Sequence, residues 1–242
     1  MLSFAPVDSA VQAAQNLLVQ LADLLAPVGG TAVAIVVATA LVRLALHPLT
    51  RSAVRAERAR AALAPRVAQV RAQHADDPAT MLEKTAEVYR AEGISPFGGF
   101  LPLLAQTPFF LLLFHLFTSS TIGGEPNGLL AHDLLGAPLG ARFLGDLAAL
   151  GVHTWVFAGV FAGLTVVAWL MSRRSARLSA LMEPAPQGVF AWLPRVLPYT
   201  VLISAVWLPL AAVLSLLTTT AWSAAENALL KRGVPTAAPA RR

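Results

Sequence analysis

Apolar residues along this chain come in long unbroken runs, and each run is close to the length of one bilayer crossing. A helix that spans a membrane needs about 20 mostly apolar residues. Residues 29–50 form the first such run, interrupted by a single charge, Arg43. Residues 96–119 and 152–171 carry no formal charge at all. From Val189 to Leu230 only Arg195 and Glu226 are charged, a stretch too long for one crossing, so two short helices are predicted, 189–207 and 208–230, with the break near Pro209. The first 28 residues differ from all of these. There Val11, Ala14, Leu18, Leu21 and Leu25 share one helical face, while Gln12, Asn16, Gln20 and Asp23 fall opposite. That pattern predicts an amphipathic helix lying in the membrane interface. A cleavable signal peptide is not expected, because the positive n-region and continuous apolar core are missing. The fold class is therefore all-α: a polytopic membrane protein with five transmembrane helices, an N-terminal interfacial helix and a helical hairpin between the first two spans.

Composition agrees and narrows the choice. Of 242 residues, 56% are apolar and 13% charged, about half the charged share of an ordinary soluble domain; mean hydropathy is +0.64. Intrinsic disorder, a nucleic-acid-binding module and a coiled coil are excluded. With no cysteine there is no disulfide framework, thiolate metal site or lipid-modified cysteine. The net charge of +5 is a matter of topology, since short loops rich in Lys and Arg stay in the cytoplasm. Eight of the 18 Lys and Arg lie between Arg51 and Arg90, Arg173, Arg174 and Arg177 follow the third span, and Lys231, Arg232, Arg241 and Arg242 close the chain. The first 28 residues have none, and the loop 120–151 sets Arg142 against Glu125, Asp133 and Asp146. The N-terminus (1–28) and the loop 120–151 are thus placed outside. The segments 51–95 and 172–188 and the tail 231–242 are placed inside.

The 51–95 segment is polar, basic and Ala-rich, yet lies between two spans. Asp76-Asp77-Pro78 divides it, with Asp77 a natural N-cap and Pro78 a natural first helical residue. The expected result is a cytoplasmic hairpin of arms 52–74 and 78–92, ended by Gly93, with Pro65 kinking or splitting the first arm. Two readings stand: a solvated connector, or a docking surface for anionic head groups, ribosomal RNA or a polypeptide.

The run Leu63-Ala64-Pro65-Arg66, then Asp76-Asp77-Pro78, then Tyr89 through Gly93-Ile94-Ser95-Pro96-Phe97-Gly98-Gly99-Phe100-Leu101-Pro102 to Gln106-Thr107-Pro108 resembles the YidC family of membrane protein insertases. Arg43 before His47-Pro48-Leu49, and Leu197-Pro198-Tyr199 through Leu208-Pro209-Leu210 to Ala225-Glu226-Asn227, are similar to its neighbouring helices. The resemblance covers about residues 8–230 and implies the same five-helix architecture. Two departures stand out. The chain has neither the lipoprotein-type cysteine of many Gram-positive members nor the extra N-terminal span and large periplasmic domain of Gram-negative ones. In the last helix, Leu214-Ser215-Leu216-Leu217-Thr218-Thr219-Thr220 replaces the family's aromatic pair and amides.

Arg43 is the centre of the expected site. An unpaired arginine within a span costs about 2.5–3.5 kcal/mol on insertion scales, and spans one to three hold no Asp or Glu to offset it. It either snorkels to the inner interface, about 12 Å away at Arg51, or sits in water. The resemblance implies the second: a hydrophilic groove open to cytoplasm and lipid and closed outside. Gln106, in an otherwise apolar helix, lines that groove or bonds to a neighbouring helix. Ser215, Thr218 and Thr219, with Thr220, add a hydroxyl stripe that either contacts substrate or bonds to its own backbone. His47 and His115 are read as packing or interface residues. HExxH, GxSxG and P-loop motifs are missing, so no catalytic residue, metal or cofactor is expected and the chain is not read as an enzyme. The resemblance implies an insertase and chaperone of nascent membrane proteins in a bacterial cell membrane, with the ribosome as a partner and acting alone or beside the Sec translocon. No specific DNA binding is expected. The alternative is a small-molecule or ion transporter, which would usually show two related halves with broken helices.

Overall fold

The computed structural model describes residues 5–93, 101–148, 151, 153–179 and 189–230. Three sequence expectations lie outside the described residues: the Ile94–Phe100 junction, the 180–188 part of the inner loop, and the basic tail 231–242. The described chain is mostly helical. Its helices are α1 (Ala5–Leu24), α2 (Gly30–Gln73), α3 (Pro78–Ala91), α4 (Leu101–Thr118), α5 (Phe143–Ala148), α6 (Thr154–Ser179), α7 (Val189–Val196), α8 (Thr200–Trp207) and α9 (Leu210–Leu230). Among the described residues two helical stretches are long and apolar enough to cross a membrane, Gly30–Arg60 and Thr154–Ala176.

The chain forms two compact units. The larger comprises residues 1–44 and 109–228, the smaller residues 45–108 and 229–242. Helix α2 begins in the first and ends in the second. Its 44 residues run through both Pro48 and Pro65 without interruption, so Pro65 does not split the first hairpin arm as expected. Each proline removes one i→i−4 bond, but the flanking Ala, Leu and Arg are strong helix formers and carry the helix across. At 1.5 Å per residue α2 is about 66 Å long, roughly twice the hydrocarbon thickness of a bilayer. The first hairpin arm is therefore the continuation of the first apolar helix, and not an element of its own.

In the smaller unit, α3 begins where the sequence placed it. The Asp77 carboxylate accepts from the Ala79 and Thr80 backbone N–H groups at 3.0 and 3.2 Å and from the Thr80 hydroxyl at 2.5 Å. These bonds to the ionised form hold the Asp77 carboxyl below the usual carboxylate range, the Thr80 hydroxyl contributing most. Pro78 follows at the first helical position, and Gly93, at φ +64°, stands just past the helix end. Arg66 on α2 pairs with Glu92 at 2.8 Å, joining the two arms.

In the larger unit the core gathers toward one end of the helices. It takes in Thr31, Ala32, Ala34, Ile35 and Thr39 of α2, Leu116 and Phe117 of α4, Phe157 and Leu164 of α6, Ala205 of α8 and Leu210–Leu214 of α9. Phe143 of α5 packs on Phe157 and Phe161 with ring centroids 5.9 and 5.1 Å apart. The apolar stripe of α1 expected in the interface turns instead onto this core. Val11 and Leu18 are buried, and Ala14, Leu21 and Leu25 pack beside them. A second stripe, carrying Leu17 and Leu24, is the exposed one.

The loop 120–151 is built, not loose. Two short antiparallel hairpins, β1–β2 (Thr121–Ile122 with Glu125–Pro126) and β3–β4 (Asp133–Leu134 with Ala137–Pro138), cover the core. Buried Asn127 caps α4, its amide donating to the Leu116 and Ser119 carbonyls at 2.8 and 3.0 Å. The same loop caps α9. The first N–H groups of a helix have no internal partner; here Leu210 N–H donates to Ala141 and Ala211 N–H to Leu139, both at 2.9 Å.

Pro209 marks the expected break, with Leu208 extended before α9. A second break was not expected. Residues 189–207 divide into α7 and α8 around a 3-10 turn at Leu197–Tyr199. Pro198 lacks the N–H that would continue the helix, and the Ser172 hydroxyl of α6 takes up the Arg195 carbonyl at 2.6 Å.

Candidate functional site

Thr39 and Arg43 stand one turn apart on α2, and so share a face. Ser215, Thr219, Trp222 and Glu226 recur at i, i+4, i+7 and i+11 on α9 and share a face in the same way. The two faces meet. The Thr39 hydroxyl donates to the Ile35 carbonyl at 2.7 Å, and its oxygen lies 3.2 Å from the Ser215 hydroxyl. Further along, the Glu226 carboxylate acts electrostatically on the Arg43 guanidinium.

Arg43 is thus not the lone cation the sequence suggested. Spans one to three hold no acid, but the last helix supplies one across the seam. Glu226 is the one charged side chain that is buried among the described residues, 7% exposed. A buried carboxylate without a counter-charge is costly, so the pair places each ion where the other makes it tolerable. Nothing in the spacing of Arg43 and Glu226 along the chain could have shown that one lies within electrostatic reach of the other.

The remaining predicted site residues fare differently. Thr218 and Thr220 are half-buried and donate to the Leu214 carbonyl and to the Leu216 and Leu217 carbonyls, at 2.9 to 3.0 Å, one turn back on their own helix. They satisfy themselves, which was one of the two readings open to them. Thr219 is half-buried on the seam-bearing face. Gln106 lies on α4, and its side chain falls outside the described residues. His115 is exposed and sits 3.1 Å from the Ser119 hydroxyl.

Sequence reasoning missed Trp222. Its indole Nε1 is a buried donor with no hydrogen-bond partner among the described residues, one turn from Glu226. The signal was present in the sequence as the single aromatic residue of its helix.

Burial changes sharply along the seam. On α9 every residue from Leu210 to Leu214 is buried, whereas Ser215 through Ala225 are half-buried or exposed. On the α2 segment of the larger unit the buried positions stop at Thr39, and Ala40 to Leu44 are half-buried or exposed. The polar seam therefore begins where the apolar core ends. Among the described residues no group of His, Asp and Glu could hold a metal ion.

The comparisons with known proteins point one way. A family profile described as "60Kd inner membrane protein" matches residues 24–237. The membrane protein insertase YidC of Thiobacillus denitrificans is 30% identical over 174 residues, 69% of this chain and 29% of that protein. The YidC of Streptomyces avermitilis is 34% identical over 111 residues, 43% of this chain and 26% of that protein. The chloroplastic inner membrane ALBINO3-like protein 2 of Chlamydomonas reinhardtii is 36% identical over 91 residues, 38% of this chain and 22% of that protein. The aligned residues span less than a third of the length of these relatives. A family match that runs from the end of α1 past the end of α9, joined to a mostly helical chain with two membrane-length apolar helices, identifies a membrane protein that belongs to the 60Kd inner membrane protein family of YidC-type insertases.

Proposed function

We propose that this chain is a membrane protein insertase that lowers the barrier for nascent membrane proteins to enter the bilayer. In this reading it crosses the membrane five times, through residues 29–50, 96–119, 152–171, 189–207 and 208–230. The N-terminus and the loop 120–151 lie outside, and the hairpin, the 172–188 loop and the tail lie in the cytoplasm. The observation that carries the reading is the step in burial along α2 and α9. The ends capped by the loop are closely packed, while Ala40–Leu44 of α2 and Ser215–Ala225 of α9 are half-buried or exposed, with the Glu226 carboxylate buried beyond them. An arrangement sealed outside and open inside is what a hydrophilic groove requires.

Arg43, with Ser215, Thr218 and Thr219, would line that groove, and the electrostatic coupling of Arg43 to Glu226 sets its chemistry. An acidic segment of a substrate competes with Glu226 for the Arg43 guanidinium, and no bond is made or broken. The freed path is short and hydrated, and the apolar part of the substrate leaves sideways into lipid. The membrane potential assists an acidic segment moving outward by about 2.3 kcal/mol per charge per 100 mV. The ribosome would deliver the substrate, with the chain acting alone or beside the Sec translocon.

The pair gives a test with opposite signs. Arg43→Ala should lower insertion of a single-span substrate with an acidic outer segment on the order of tenfold, equivalent to about 1.4 kcal/mol, and leave a neutral one nearly unchanged. Glu226→Gln removes the competitor and should raise photo-crosslinking of the acidic substrate to position 222. If both variants impair acidic and neutral substrates alike, the pair is structural and the electrostatic mechanism fails. A transporter would instead show altered solute flux with insertion intact.

A further inference from the structure

A second polar feature of the larger unit lies on α6 and α7. On α6 the Arg173 guanidinium stacks over the Trp169 ring, 3.8 Å from its centroid. Trp169 is 42% exposed and its neighbour Leu170 50%, so this turn still presents apolar surface when the first cation appears. On α7, Arg195 is exposed beside Trp192, three residues before it and 48% exposed. The Ser172 hydroxyl holds the Arg195 carbonyl at 2.6 Å. That bond brings residue 195 level with residues 172 and 173, and so sets two arginines from different helices at one depth. Among the described residues neither Arg173 nor Arg195 takes part in an ion pair. Each is accompanied by an exposed tryptophan, the side chain that settles at the headgroup level of a bilayer.

We infer that Arg173 and Arg195 form a binding site for the headgroup of an anionic phospholipid, framed by Trp169 and Trp192, at the rim where α6 meets α7. The ligand is a lipid and not ribosomal RNA, because Trp169 and Leu170 carry the patch into the apolar layer, where an RNA phosphate does not reach. Arginine is suited to the task, since its planar fork binds phosphate oxygens in pairs while its face stacks on the indole. The break at Pro198 gains a role from this. Where the helix stops, the Arg195 carbonyl accepts from Ser172, and this fixes the height of the second cation. The site does not depend on the groove reading, because it faces lipid and needs no substrate.

The full chain reconstituted into phosphatidylcholine vesicles tests this directly. Fluorescence quenching by brominated phosphatidylglycerol is compared with quenching by brominated phosphatidylcholine at equal mole fraction. Subtracting the signal of Trp169→Phe isolates the contribution of Trp169. The anionic lipid should quench Trp169 more steeply, and each arginine replaced by glutamine should reduce its relative affinity roughly fivefold. R173Q/R195Q should then be quenched equally by both lipids, the phosphatidylcholine signal proving that the variant is still inserted. Equal quenching of the unmodified chain by the two lipids would overturn the site whatever the variants do. So would a preference that survives R173Q/R195Q, or one that survives while ribosome binding is lost, which would reassign the cations to RNA.

Discussion

The two units of this molecule are both helical and are held together by different physics. The larger unit buries a continuous apolar cluster, drawing on α1, α2, α4, α6, α8 and α9 and both hairpins. In the smaller unit only Val54, Leu63 and Val67 are buried among the described residues, and α3 buries none. What shapes the smaller unit is capping and pairing of polar groups at its surface. It has the Asp77 cap, the Arg66–Glu92 and Lys84–Glu87 pairs, and an Arg58 side chain that donates to the Leu230 carbonyl at the end of α9. A large buried side chain contributes about 1.5–3 kcal/mol, an exposed ion pair typically about 0.2–1 kcal/mol. The difference teaches that helix content says little about rigidity. The larger unit should open only with global unfolding, and the hairpin should open on its own.

The sharpest way to break this comparison is in the core. Phe157 is fully buried against Phe143, and Phe157→Ala should cost about 3–5 kcal/mol, read as a fall in the denaturation midpoint of the detergent-solubilised chain. A cost near zero would mean that the larger unit is no better packed than the hairpin. A gain of about 1–2 kcal/mol is expected from Leu135→Gly. Leu135 sits at φ +52° in the β3–β4 turn, where the matching position of the β1–β2 turn is Gly123 at φ +61°. The side chain is 69% exposed and loses little packing when removed, so an unchanged midpoint would show that the strain is not real.

The smallest effect belongs to the hairpin and depends on pH. The Asp77 carboxyl titrates below its ordinary value because Thr80 and Ala79 donate to its ionised form. Its capping contribution is therefore complete above the unfolded value, about 3.9, and is lost as the pH falls through the lower folded one. Amide exchange at Ala79 and Thr80 should be steady from neutral pH down to that point and accelerate below it, relative to the core. Asp77→Asn should remove the pH dependence, and a D77N chain that still shows it would place the titrating group elsewhere.

Much of the architecture was legible in the sequence because it rests on local rules. Apolar run length announced the helices, Asp77-Pro78 began α3, Gly93 stood past its end, and Pro209 divided the last two helices. Proline misled twice, in opposite directions. Pro65 is expected to kink or split its helix and does not split it, since strong helix formers surround it. Pro198 was given no role and does divide 189–207, with the Arg195 carbonyl before the break taken up by the Ser172 hydroxyl of another helix. The candidate site was half visible: Arg43 and the hydroxyls of α9 could be named, whereas Trp222 and the partner of Arg43 could not.

The sequence by itself determined which segments are helical, that they belong in a membrane, and that a costly cation sits within the first apolar run. Those are consequences of transfer free energy and backbone hydrogen bonding, which act residue by residue. Only the tertiary structure decided that Glu226 acts electrostatically on Arg43, that α1 lays its main stripe on protein, and that Ser172 levels Arg195 with Arg173. Each of these joins residues far apart in the chain, across helix faces whose contacts are chosen by the packing of the whole core.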